Sequence, residues 1–201
     1  MLARLLSSFL VVVILAALLA PCLAPCDPEQ LDLAHIEQAP GPGHPLGTDR
    51  LGRDLLSRLL YGARNSLGVA ALAAVLGCAL GLVVGVLAGS GSKWLDDLLM
   101  RLVDLGLALP AFFLLVGVQA IVPPRALTVA LVIAATRWMP LARLVRGQFL
   151  SLREQEFVLA ARATGCSPAR IAARHLLPNA LAPVLVFFSL ALADALLLES
   201  A

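Results

Sequence analysis

Charge is scarce in this 201-residue chain. Charged side chains make up 14% of it, whereas soluble domains average about 25%. Apolar residues make up 60%, and the mean hydropathy is +0.93. That balance excludes an ordinary soluble domain and puts the chain in a membrane. The net charge of +2 is too small a surplus to attract nucleic acid. Lysine is nearly missing, with Lys93 the single example. Cysteine is sparse too, and Cys22, Cys26, Cys78 and Cys166 follow no zinc-binding spacing. Cys22 and Cys26 could pair outside a cell, but at the end of an apolar run they read as small packing residues. Cys22 also stands where a lipoprotein cysteine stands, yet Pro21 occupies a position that a cleavage site gives to a small residue. The histidines, His35, His44 and His175, are far apart and form no cluster. The stretch GSGSKW around Lys93 lacks the Gly before Lys and the Ser or Thr after it that a phosphate-binding loop needs. The chain therefore reads as a non-enzyme without metal, cofactor or nucleotide site. Any active transport must draw on a gradient or on a partner.

What the sequence does have is long apolar runs. Five reach roughly the ~20 residues that a bilayer core requires: 5–23, 66–88, 102–122, 126–142 and 181–198. The first could be a signal peptide, but its single Arg and its Pro-bearing end favour a retained anchor. Arg placement sets the orientation. Arg143, Arg146, Arg153, Arg162, Arg170 and Arg174 outnumber Glu154 and Glu156 between the last two spans, which makes that segment cytoplasmic. Counting back, the N-terminus is cytoplasmic, the acidic region 25–65 is outside, and so are the Pro123-Pro124 turn and the C-terminus. Three regions follow: an N-terminal anchor (1–24), an extracytoplasmic segment (25–65) and a spanning bundle (66–201) whose cytoplasmic loop covers about 143–180. Leu51, Leu55, Leu56, Leu59 and Leu60 predict an amphipathic helix lying on the membrane surface.

Several residues in the spans are candidates for a role. Gly77, Gly81, Gly85 and Gly89 recur every fourth residue and form a bare ridge, which predicts close packing of another helix. Pro110 and Pro140 predict kinks. Ionisable groups are costly in lipid, so each needs an explanation. Asp104 lies three residues after Arg101 and predicts an interfacial pair with it. Arg137 either snorkels past Trp138 or faces a polar cavity. Asp194 sits well inside the last span without a visible partner, so it should face the bundle interior or a water path.

The stretch LAARATGCSPARIAARHLLPN (159–179) is weakly apolar, Arg-bearing and broken at Gly165. Good helix formers precede Gly165, a residue suited to a left-handed helix end. Ser167 and Pro168 suit the cap and first position of a second helix. Pro178 is expected to end that helix before the last span. Two short cytoplasmic helices result, either docking a partner or lying against lipid headgroups.

This stretch resembles the signature loop of binding-protein-dependent ABC importer permeases: Ala160-Ala161, then Gly165, then Leu177-Pro178 at matching spacing. Leu159 replaces that family's Glu, and His175 replaces its Ile. HPLGTDRLGRDLLSRLLYGARNSL (44–67) and MRLVDLGLALP (100–110) are similar to the dipeptide, oligopeptide and nickel branch. The resemblance implies an all-α integral membrane protein with the type I ABC importer permease fold, about five transmembrane helices being present of an expected six. It implies a multi-pass protein of the bacterial inner membrane that works with ABC ATPase subunits, a second permease subunit and an extracytoplasmic solute-binding protein. It implies that Ala160, Ala161, Gly165, Leu177 and Pro178 couple the chain to the ATPase. The end at Ala201, after the fifth span, reads as a C-terminal truncation. Two alternatives stay open from the residues: a gradient-driven carrier using Asp194, and a truncated permease that does not transport.

Overall fold

The computed structural model describes residues 2–123 and 125–199; Pro124 of the expected turn, and Ser200 and Ala201 of the expected outer terminus, lie outside that range. Nine α-helices are present among the described residues, with no strand beyond isolated bridges. They are α1 (Leu2–Leu18), α2 (Ala20–Leu23), α3 (Leu55–Ser90), α4 (Lys93–Leu107), α5 (Ala111–Ile121), α6 (Ala126–Leu152), α7 (Glu156–Ala163), α8 (Pro168–Ile171) and α9 (Leu177–Glu199). A π-helical turn, Ala172–Leu176, joins α8 to α9. Three helical runs are long and apolar enough to cross a membrane: Leu55–Ser90, Ala126–Leu152 and Pro168–Glu199. A bent pair, Lys93–Leu107 with Phe112–Ile121, makes a fourth if counted as one span. The apolar part of α1, Ser7–Leu18, is shorter than these. The expected third span is thus broken: its halves meet at 77°. Pro110 accounts for the break, because it has no N–H to donate and forces the residue before it out of helical geometry. Pro140, by contrast, lies inside α6 without ending it.

The chain divides into two compact units, Met1–Gly68 and Val69–Ala201. In the first, the segment before α3 is held by side chains rather than by strands. Asp54 caps α3: its carboxylate accepts from the Ser57 N–H at 2.7 Å and faces His44 Nδ1 at 3.0 Å. Asp49 accepts from the backbone N–H groups of Leu51 (2.8 Å) and Arg53 (3.0 Å), and from the guanidinium groups of Arg53 and Arg58. Thr48 accepts from the Gln38 N–H at 2.9 Å and donates to the His35 carbonyl. Two glycines with positive φ let strands of loop cross. A Cβ on Gly52 (φ +72°) would lie 1.8 Å from the Asp32 carbonyl oxygen, and one on Gly47 (φ +80°) 2.4 Å from that of Gln38. The stretch predicted as a separate surface helix differs here. Leu51 stays in the loop, and the helix that starts at Leu55 runs unbroken to Ser90, 36 residues or ~54 Å at ~1.5 Å per residue. No breaker separates 65 from 66, so one helix continues where hydropathy alone suggests two.

In the second unit α6 is the central helix. It packs on α4, α5 and α9, and α3 lies along it through the glycine ridge. A Cβ added to Gly81 would come 2.6 Å from the Trp138 carbonyl oxygen, to Gly85 2.6 Å from Val145 Cβ, and to Gly89 2.5 Å from Phe149 Cβ. Gly77 is looser: the nearest atom would be the Ala134 carbonyl oxygen at 3.4 Å. The core follows from this contact. Leu141, Val145 and Phe149 of α6 are fully buried, with Cys78, Leu82 and Val86 of α3 packed against their cluster. A second cluster joins Val69, Ala70 and Ala73 to Leu115, Ala130, Ile133 and Ala195. All four cysteines are free thiols.

Two outcomes follow. Gly85→Ala should destabilise the detergent-solubilised chain by about 1–3 kcal/mol through overpacking, read as a lower Tm. Gly77→Ala should leave Tm unchanged or raise it, since ordinary contact there lets the helix propensity of Ala act. The second concerns acid. Burial raises the Asp54 carboxyl, but the Ser57 backbone and hydroxyl and His44 outweigh it and hold the group below the usual carboxylate range. At Asp49 desolvation is likewise outweighed by the Arg53 and Leu51 N–H groups and the Arg53 and Arg58 side chains. Both depressed groups contribute stability above the ordinary carboxylate pKa, and that stability is lost as pH falls toward their folded values. Pepsin cleavage within 25–54 should therefore rise from pH ~4 to pH ~2, and Asp54→Asn should already be cleaved readily at the higher pH.

Candidate functional site: the loop after α6 and the charged pairs of the spans

The loop is anchored from beneath. Val158 of α7, Ile171 of α8 and Leu176 of the π turn are buried in one cluster with Leu141, Val145, Phe149, Ala180 and Val184. Apolar residues at those positions give α7 one inward face, and its other face stays open: Phe157 and Leu159 are 42% and 50% exposed, and Ala160 is exposed beside them. Ala161 is half-buried against the cluster. α7 ends in a paired motif in which the Cys166 N–H donates to the Ala161 carbonyl (3.1 Å) and the Gly165 N–H to that of Arg162 (2.9 Å). Gly165 takes φ +81°, with open space where a Cβ would be. Backbone conformation, not crowding, therefore requires glycine there. Ser167 caps α8, its hydroxyl accepting from the Arg170 N–H at 3.4 Å, and Pro168 opens the helix.

Pro178 does not separate the loop from the last span. Pro168–Glu199 is one helical run through the π turn, with Pro178 second in α9. The wider turn offers a reason, because i→i+5 bonding shifts the ladder where the proline has no N–H to give. The Asn179 side-chain amide supplies a donor there, reaching the His175 carbonyl at 2.7 Å. Leu177 is half-buried on the cluster and Pro178 is exposed. Of the five coupling candidates, Ala161 and Leu177 thus meet through the core, while Ala160, Gly165 and Pro178 face outward. A cavity of about 210 Å³ opens next to them, lined by Gly89, Ser90, Arg153, Arg162, Cys166 and Ile171 among others. Arg153 and Arg162 make no ion pair among the described residues.

The charges of the spans are paired across helices. Arg137 of α6 donates from Nη1 to Asp194 Oδ2 of α9 at 3.0 Å. The carboxylate that has no visible partner in sequence thus has one 57 residues away. The Arg137 Nε is buried without a hydrogen-bond partner. Asp104 pairs with Arg143 of α6, not with Arg101. Arg101 is exposed, and the third-residue spacing that suggests a pair along α4 loses to a guanidinium presented across the helix contact. Asp96, in the first turn of α4, binds Arg146 through both carboxylate oxygens, Nη2 to Oδ2 measuring 2.7 Å. No sequence spacing signals this bond, since its partners lie 50 residues apart. No group of three or more His, Cys, Asp or Glu among the described residues could hold a metal ion.

The described residues thus form an all-α bundle with an anchored, partly exposed loop between two apolar helical runs. The chain belongs to the family of binding-protein-dependent transport system inner membrane components, which matches residues 81–201 and has the type I ABC permease fold. Several curated proteins are similar to it. One, from Brucella suis, carries the provisional name of a peptide transport system permease protein. It is 41% identical over 191 residues, which cover 95% of this chain and 64% of that one. A provisionally named peptide permease protein of Brucella abortus is 38% identical over 86% of this chain and 57% of its own length. A dipeptide transport system permease protein of Alkalihalophilus pseudofirmus is 39% identical over 80% of this chain and 53% of its own. The chain spans less than two thirds of the length of each of these relatives.

The pairs differ in what they should contribute. Arg146→Ala leaves Asp96, only 15% exposed, without its guanidinium, and should cost about 1–3 kcal/mol. Arg143→Ala removes a pair whose side chains are 51% and 60% exposed, and should leave Tm unchanged. Thermal unfolding in detergent checks both.

Proposed function

We infer that the chain is a transmembrane permease subunit of an ABC importer for peptides. It acts with partner ATPases inside, a second permease subunit beside it and a solute-binding protein outside. The observation that carries this is the anchored loop: an exposed surface of Phe157, Leu159 and Ala160 fixed to the spans from below. A partner that moves such a loop moves α9 with it, because Pro168–Glu199 is one helical run. The small side chain of Ala160 allows close approach, and the unpaired Arg153 and Arg162 at the adjoining cavity suit acidic groups on a docking surface. Leu159, where the family has Glu, makes this contact apolar rather than ionic. The relatives' names favour peptide over nickel as solute, the binding protein supplying most of the specificity. In this reading the N-terminus and the loop lie in the cytoplasm, 25–65 lies outside, and the glycine ridge is a packing face. The carrier alternative rests on an unpaired Asp194 and loses ground once Arg137 pairs with it.

Co-purification with a candidate partner ABC ATPase tests the docking. Ala160→Trp, which fills an outward position and disturbs no core contact, should lower the recovered ATPase at least about tenfold, as for a blocked interface centre. Unchanged recovery would count against docking at this loop. Gly165→Ala should weaken binding less, through backbone strain of about 1 kcal/mol.

A further inference from the structure

The Arg137–Asp194 pair sits where ionised groups are most costly. Arg137 is ~16 Å along α6 from Ala126 and ~22 Å from Leu152, at ~1.5 Å per residue. That places it within a hydrocarbon layer ~30 Å thick. Its Cβ faces Gly77 of α3, near the middle of the apolar part of that helix. Among the described residues no other ion pair lies at this depth, since Arg143–Asp104 and Arg146–Asp96 are one and more turns nearer the loop end. The pair is not closed off. The Asp194 side chain is 49% exposed and that of Arg137 27%. Only one guanidinium nitrogen is bonded to Asp194, through one carboxylate oxygen, and Nε has no partner. An ion pair sealed in lipid would use both forks of the guanidinium, as Arg146 does on Asp96. Ionised groups at this depth are costly in lipid, so the open side of a singly bonded pair favours a polar surrounding there.

The geometry points to Asp194 as a transit subsite for the cationic group of the solute. Its carboxylate exchanges the Arg137 guanidinium for an ammonium group at mid-membrane and returns to Arg137 afterwards. Arg137 is the positioning residue, since its guanidinium holds the Asp194 carboxylate as a charge partner when no solute is present. This deepens the importer reading and rests on it. The occupant follows from charge: a carboxylate with an open side and a displaceable cation selects another cation, and a peptide carries one at its amino terminus.

The test uses the full complex, with ATPase, second permease and binding protein, in liposomes, and alanyl-alanine as probe. Asp194→Asn should lower ATP-driven uptake at least about tenfold at unchanged assembly yield, because the amide cannot hold an ammonium ion. Asp194→Glu, which keeps the charge, should retain uptake within about threefold. Asp194→Asn transporting like the wild type would overturn the subsite. So would restoration of both assembly and uptake by the exchange Arg137→Asp with Asp194→Arg, because a mere staple survives inversion. No ATP-driven uptake by the wild-type complex would defeat the importer reading instead. The subsite is then decided by labelling. With the four native cysteines replaced by serine, Asp194→Cys in membranes should react with a water-soluble methanethiosulfonate. Should that variant not assemble, Leu190→Cys, one turn away with the pair intact, carries the same reading. Failure to react, with full reaction toward a lipid-soluble maleimide, would put the pair against lipid or another helix and overturn the proposal.

Discussion

The side-chain-free ridge of α3 against α6 is the contact on which the spanning unit depends. Lipid offers no hydrophobic drive for helix association, so the helices must gain from close packing. Three glycines bring α3 so near that a single methyl group would overlap α6. That approach buries Leu141, Val145 and Phe149, and these in turn floor the loop through Val158, Ile171 and Leu176. The chain of support runs from the glycines to the exposed surface of α7. It also sets the rotation of α6, which turns Arg137, Arg143 and Arg146 toward α9 and α4.

Continuity is the second organising feature. The loop does not hang between the spans on flexible joints. It is tied to the core at Val158 and continues through the π turn into α9. A π turn is a common device where a helix must absorb an irregularity without breaking. Here it lets a helix carry Pro178 without breaking. A sharp bend of 77° falls at Pro110, where α4 and α5 meet. The two prolines differ in effect: α4 ends at Leu107 ahead of Pro110, whereas beside Pro178 the Asn179 amide donates to the His175 carbonyl and the helix runs on.

Much of this was legible in advance. Composition alone placed the chain in the membrane. The four-residue glycine period marked a bare helix face, and Gly165, Ser167 and Pro168 marked a helix end and a restart. These features are local: each depends on the conformation of one residue or one turn. The boundaries of long helices were less legible, since 51–65 merges into α3 and Pro178 fails to end its helix. Propensity there competes with tertiary support, and the support prevails. The motif HPLGTDRLGRD reads in the fold as a polar knot, in which Asp49, Asp54 and Thr48 replace the hydrogen bonds that strands would otherwise supply.

The sequence by itself determined the membrane class, the family signature, the glycine ridge and the helix end at Gly165. Each follows from residue type and spacing along one helix or turn. Only the tertiary structure decided which charges meet. Asp194 finds Arg137, Asp104 finds Arg143 rather than Arg101, and Asp96 finds Arg146. The reason is physical: an ion pair depends on distance in space, and partners 39 to 57 residues apart come within reach only after α6 has packed against its neighbours.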